Sequence, residues 1–169
     1  MTFQEFADTR LAGVLAFAAV LTGQRATAED IVQEVLIRAY ARWDAIGDLD
    51  RPEFYVRKMV LNEFLSWRRR SWRVIPAGDA PLAADPVGDP ADRHADREAL
   101  LSEIGRLPRR QRAVLVLRYY EDRSDAEIAE LLGCQPGTVR GYASRALAAL
   151  RVELREQPGS LTWSRGSES

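Results

Sequence analysis

At 169 residues the chain has room for one ordinary domain or two small ones, and 46% hydrophobic with 29% charged residues describes a sequence that folds rather than a disordered one. Cys134 is the only cysteine, which excludes an internal disulfide, argues against a cysteine-based metal site and fits a reducing, cytoplasmic setting. A net charge of -1 speaks against a simple nucleic-acid coat. From the amino terminus, Phe3, Phe6, Leu11, Val14, Leu15, Phe17 and Ala18 recur at helical spacing and predict a helix from Phe3 to Leu21. No stretch approaches the roughly 20 unbroken apolar residues of a membrane span. The run Leu11 to Leu21 looks superficially like a secretory leader, but Glu5 and Asp8 precede it and no small-residue cleavage site comes after it. It reads as a buried helix.

Thr27 is the expected N-cap of a second helix, with Glu29 and Asp30 in its first turn, where acids complement the helix dipole. Ile31, Val32, Val35, Leu36, Ala39, Tyr40 and Trp43 form its apolar stripe, to about Trp43. Asp44 to Pro52, with Gly47 and two further aspartates, reads as a loop, and Pro52 suits the first turn of the next helix. That helix uses Phe54, Val56, Val60, Leu61, Phe64 and Leu65 and ends in the basic and aromatic run Trp67 to Arg73. Pro76 to Pro90 is rich in Pro, Ala, Gly and Asp without periodicity and is expected to be a linker. Acid gathers here: Asp79, Asp85, Asp89, Asp92, Asp96 and Glu98 against Arg93 and Arg97 leave both flanking halves slightly basic. Fully extended, Val74 to Asp96 spans roughly 75 Å at ~3.3 Å per residue, about two turns of B-DNA. An acidic spacer between two basic-faced ends suggests two binding modules. Lys58 is the only lysine among 24 basic residues; a GC-rich genome and a functional preference for guanidinium explain that equally well.

Four helical pieces complete the chain: Arg97 to Arg106; Pro108 to Tyr120, with Val114, Leu115, Leu117 and Tyr120 inward; Ser124 to Leu132; and about Pro136 to Leu154. The tail from Gln157 is expected to be disordered. Ser124 caps the third piece, and Glu127 three residues on completes a capping box. Ile128, Ala129, Leu131 and Leu132 supply its buried face. Gly133 sits where that helix ends in a left-handed conformation. Gln135 takes the next N-cap position and Pro136 the first turn. Val139 packs back, while Thr138, Arg140, Tyr142, Ser144 and Arg145 reach the outer face. A short turn between two helices with a polar leading end on the second is the arrangement that enters a DNA major groove. Gln135, Thr138 and Arg140 are candidates for base edges. Arg123, Arg145 and the helix amino terminus are candidates for phosphate, with Ser144 beside them. Gly141, which costs about 1 kcal/mol against alanine inside a helix, reads either as a site of close approach to DNA or a neighbouring helix, or as a tolerated defect.

The segments Ala28 to Trp43 and Arg51 to Arg70 resemble the second conserved region of sigma factors, and Leu107 to Arg140 resembles their fourth. Order, separation and length resemble the compact extracytoplasmic-function (ECF) members of the sigma-70 family, the SigE-like actinobacterial subgroup above all, over roughly Phe3 to Arg155. The resemblance implies an all-α fold of two small helical domains: residues 1–75 for core polymerase binding and -10 recognition and melting, a flexible acidic linker over 76–96, a helix-turn-helix domain over 97–156 that reads -35, and a tail over 157–169. Asp30, Gln33 and Glu34, on one helix face, would dock on the clamp of the polymerase largest subunit. Asp44 to Arg51 would capture an extruded base, and Tyr55, Lys58, Asn62, Trp67, Arg68, Arg69 and Arg70 would line the path of the melted strand. Melted DNA needs flat surfaces for stacking, worth about 1–3 kcal/mol per base, and cations along the phosphates. Leu107, Arg109, Gln111, Leu115 and Arg118 would face the flap of the second-largest subunit. An anti-sigma partner is a further expectation of the resemblance.

Two other classes remain open to the residues alone. A stand-alone helix-turn-helix regulator would leave the basic and aromatic end of the third helix without a purpose. An enzyme lacks support: His94, the sole histidine, sits in the acidic linker, and no phosphate loop, nucleophile elbow or metal-ligand cluster is present. No cofactor, metal or membrane insertion is expected.

Overall fold

A computed structural model describes residues 1–66, 100 and 102–156, with side chains as far as Arg151. Trp67, Arg68, Arg69, Arg70, the expected linker and the expected tail lie outside the described residues. Among the described residues every regular element is helical. Helix α1 (Phe3–Thr22) starts on Thr2, whose hydroxyl accepts from the Glu5 amide while the Thr2 amide donates to the Glu5 carboxylate. The bond from the Thr2 amide to the ionised carboxylate holds its pKa below the ordinary value. Gly23, at φ 71°, ends the helix.

Helix α2 (Arg25–Tyr40) begins ahead of the expected cap. Extended Gln24 is the N-cap, and Thr27, already inside the helix, donates its hydroxyl to the Gln24 side chain at 3.0 Å. The left-handed turn at Gly23 reverses the chain at once, so the strong helix formers Arg25 and Ala26 enter the first turn. Glu29 and Asp30 consequently fall beyond it. The expected loop also holds a helical turn, α3 (Trp43–Ile46), because Trp43 and Ile46 are both buried in the core shared with α1. Phe3 and Phe6 meet Trp43 at 5.2 and 4.9 Å between ring centroids. Tyr40 does not point inward: Phe3 touches one edge of its ring and the rest lies in solvent, 67% exposed. Helix α4 (Pro52–Ser66) starts on its proline as expected. Helices α1, α2 and α4 each pack on the other two. Phe6, Phe17, Leu21, Ile31, Val35, Val60 and Leu61 lie fully inside, each contributing about 1.5–3 kcal/mol by burial.

The second half comprises α5 (102–106), α6 (Arg109–Leu115), which runs into a π-helical turn over Val116–Tyr120, α7 (Asp125–Leu132) and α8 (Pro136–Glu156). Helices α6 and α7 pack on α8 through Val114, Ile128, Val139 and Ala143. The π turn, marked by the Glu121 amide bonding the Val116 carbonyl five residues back, widens the spiral and rotates the residues beyond it. Tyr120 therefore faces solvent at 47% exposure instead of packing inward. The two halves also touch: one continuous apolar cluster runs from Phe17 and Phe64 into Val114 and Leu117.

Candidate nucleic-acid interface

The helix-turn-helix is set by local chemistry. Ser124 and Glu127 exchange capping bonds at 2.9 and 3.2 Å, and the bond from the Ser124 amide holds the Glu127 carboxyl below its ordinary pKa. Gly133, at φ 64°, ends α7. The Gln135 carbonyl accepts from the Thr138 and Val139 amides as α8 begins. Val139 is fully buried and locks α8 against α7. On the opposite side Gln135, Thr138, Arg140, Ser144 and Arg145 are all exposed at the leading end of α8. Arg145 folds back, its Nε donating to the Gly141 carbonyl at 3.2 Å and its guanidinium lying 5.3 Å from the Tyr142 ring centre. A Cβ at Gly141 would meet only Arg145 Nη2, at 3.4 Å. Among the described residues no neighbouring helix comes close to Gly141, so crowding by a described helix is not the reason for this glycine.

Arg123 departs from expectation. Its side chain is largely covered, reaches Glu127 at 3.4 Å and lies 4.9 Å from the centre of the Phe54 ring in the first half. The residues expected at the polymerase flap are mostly spent inside the fold. Leu107 and Leu115 are buried with Ala146 and Leu150, and Arg118 grips Asp125 at 2.5 to 3.0 Å, which raises the arginine's pKa. Arg109 donates to the Phe64 carbonyl at 2.8 Å. Gln111 is half-buried.

In the first half Asp30 and Gln33 are exposed and Glu34 half-buried on one face of α2. Beside them runs an open, almost wholly apolar groove between α1 and α2, lined by Leu11, Leu15, Val32, Leu36, Ile37 and Tyr40. Ile37 is 63% exposed. Sequence reasoning missed this groove; Ile37, an apolar residue off the buried stripe, was the available signal. Asp44, Asp48, Leu49, Asp50 and Arg51 are exposed around α3. Tyr55, Lys58 and Asn62 share one face of α4 at i, i+3, i+7; Tyr55 and Asn62 are exposed, whereas Lys58 lines a small cleft shared with Arg123 and Glu121. No cluster of three or more metal-ligating side chains occurs among the described residues.

Residues 7–74 match the sigma-70 region 2 family and residues 97–150 match sigma-70, region 4. The RNA polymerase sigma-E factor of Streptomyces avermitilis is 37% identical over 158 residues, covering 93% of this chain and 87% of that one. The chain belongs to the sigma-70 family. It is an RNA polymerase sigma factor of the ECF type. ECF RNA polymerase sigma factor SigL of Mycobacterium tuberculosis is 36% identical over 88% of this chain and 86% of its own length. Among solved structures, the sigma factor RpoE in complex with the anti-sigma factor NepR from Bartonella quintana superposes with a TM-score of 0.71 at 25% identity, covering 92% of this chain and 98% of that one. Region 2 of this sigma factor is thus the α1 to α4 half, and region 4 the α5 to α8 half. No described helix is long and apolar enough to cross a membrane.

Proposed function

We propose that this sigma factor works in the cytoplasm, binds core RNA polymerase through the polar face of α2 and reads a promoter at two separate places. Asp30, Gln33 and Glu34 dock on the clamp of the largest subunit, beside the apolar groove between α1 and α2. Region 4 lays the first turns of α8 in the major groove of the -35 element. There Gln135, Thr138 and Arg140 meet base edges, while Ser144, Arg145 and, once uncovered, Arg123 meet phosphates. Tyr55, Lys58, Asn62, Trp67 and Arg68 to Arg70 line the path of the melted -10 strand, and the exposed loop around Asp48 and Asp50 captures an unpaired base. The flap contact falls to the α6 surface around Gln111. Domain limits of 1–75, 76–96 and 97–156 separate these tasks. The factor supplies no chemistry of its own; the polymerase makes the bonds. An anti-sigma protein, as in the Bartonella quintana complex, is a further proposed partner.

The observation that carries this reading is the clean division of α8: Val139, Ala143 and Ala146 are buried, while every nominated base or phosphate contact from Gln135 to Arg145 is exposed. Transcription reconstituted from purified core polymerase and promoter fragments of the source genome tests it. Factor-dependent transcripts with discrete starts are expected. If neither core binding nor a factor-dependent start is found on any fragment, the reading fails.

A further inference from the structure

Trp43 opens α3 and is carried into the core of region 2, where it is only 8% exposed. A buried indole N–H needs an acceptor, and here it donates to the Met1 carbonyl at 2.9 Å, 42 positions earlier in the chain. The Met1 nitrogen in turn donates to the carbonyl of Gly47, at the other end of α3, at 3.3 Å. Phe3 and Phe6 pack on the same indole. Residues 1–6 therefore hold both ends of α3. Gly47 shows how closely they approach. Its φ of -65° is open to any residue, so backbone conformation does not demand glycine here. Space does: a Cβ at this position would lie 2.5 Å from the Met1 carbonyl oxygen and 2.8 Å from Trp43 Nε1, closer than real Cβ atoms come to any neighbour.

Beyond Gly47 the chain turns outward. The Leu49 amide bonds the Ile46 carbonyl at 3.1 Å, Ile46 is buried, and Asp48, Leu49 and Asp50 are all exposed. Arg51 then lies 5.2 Å from the centre of the Phe54 ring, and Pro52 begins α4. The exposed turn is thus fixed at Gly47 on one side and at Arg51 and Pro52 on the other. We propose that the Met1 carbonyl, Trp43 and Gly47 form a positioning device for base capture, setting where the turn over residues 48–50 stands so that it selects one unpaired base of the -10 strand. This inference deepens the base-capture reading of the proposed function and rests on it. A turn of exposed residues selects a base well only if its polar groups are held in place before the base arrives, because ordering them on binding costs affinity. Helix α3 has four residues and little stability of its own, so its order comes from outside it. The segment ahead of α1 supplies that order by touching both ends. Trp43 is therefore a positioning residue that acts through the turn.

Trp43→Phe tests the device, because it keeps a ring against Phe3 and Phe6 while deleting the N–H that holds the Met1 carbonyl. Gly47→Ala disturbs the same link from the other side. Phe6→Leu is the packing control: it loosens the ring cluster at Trp43 and leaves the bond to Met1 in place. The full factor is bound to core polymerase and titrated by fluorescence anisotropy against forked -10 DNA from a promoter found in the reconstituted transcription. Each unpaired base is replaced in turn by an abasic site. For the parent, one abasic position is expected to weaken binding beyond its neighbours by about tenfold, the contribution of one or two hydrogen bonds to a base. In W43F and G47A that position should fall level with its neighbours, while affinity for the same abasic fork and for core polymerase stays parental. F6L should show a lower urea midpoint yet keep the parental pattern. Far-UV circular dichroism checks that each variant retains its helices, and W43F alone decides should G47A lose them. A parental pattern in W43F overturns the proposal. So does equal weakening of W43F on every fork, which would make Trp43 merely structural, and so does loss of the pattern in folded F6L, which would assign it to a loosened core. A parent with no sensitive position overturns the base-capture reading itself and this inference with it, so the two failures are told apart.

Discussion

Gly141→Ala separates two explanations of the glycine in the reading helix. In a helix interior alanine is favoured over glycine by about 1 kcal/mol through backbone entropy. The new methyl would touch only Arg145 Nη2 at 3.4 Å, an ordinary contact with the far end of a flexible side chain, so no steric cost offsets that gain. The substitution should therefore stabilise the factor by about 1 kcal/mol, raising the melting temperature by about 2–4 °C for a chain of this size. Urea unfolding followed by far-UV circular dichroism reads the change as a higher midpoint at unchanged slope. A neutral or destabilising result would refute the argument that nothing crowds this position. The same variant then reports on DNA. If α8 lies with Gly141 against the duplex, the methyl weakens -35 binding despite the stabler fold; unchanged binding leaves a tolerated defect as the explanation.

Other substitutions probe the same geometry. Ser124→Ala removes the α7 cap and should cost about 1 kcal/mol in urea unfolding, with Ser124→Asp close to neutral. The depressed pKa of Glu127 adds a pH signature: its contribution is fully present above the unfolded carboxylate value of about 4.3 and is lost as pH falls through the lower folded value. The acid limb of the stability curve should accordingly be shallower in E127Q, which removes the titrating carboxyl while S124A keeps the amide that holds it, and an unchanged limb in E127Q would refute the linkage. Phe17→Ala, at the fully buried centre of region 2, should cost about 3–5 kcal/mol, measured as a lowered urea midpoint. Arg140→Ala should cost about 1–3 kcal/mol of -35 affinity in the polymerase complex and relax preference at one base pair, whereas Arg145→Ala should weaken binding evenly and flatten its salt dependence; titrations at several salt concentrations distinguish them.

Much of what is decided within one turn of chain was legible in the residues, although the start of α2 on Gln24 instead of Thr27 was not. Ser124 with Glu127, Gly133 ahead of Pro136, and Pro52 each set a helix boundary by chemistry contained in a few neighbours, and the structure has those boundaries. The apolar stripes of α1 and α4 were legible for the same reason. Other misreadings occurred where a distant partner or an irregular turn decided. Trp43 and Ile46 are helical because the core shared with α1 covers them. Tyr120 turns outward because a π turn shifts the register there. Leu115 and Arg118 were expected at the flap, but α8 buries the first and Asp125 holds the second. The arginines that join the halves were the least legible. With arginine so abundant in this chain, nothing local distinguishes Arg112, which caps a helix 90 residues away, from Arg140, which faces solvent. The missing cation at the end of α1 was the one available hint.

Permanganate footprinting of a promoter bound by core polymerase with this factor tests the central claim most directly, since it reports unpaired thymines base by base. Reactive thymines confined to the -10 element, present only when factor and core are both added and lost in R140E at a -35-dependent promoter, are the expected result. Duplex that stays closed with both proteins bound, or opening by core alone, would contradict the account.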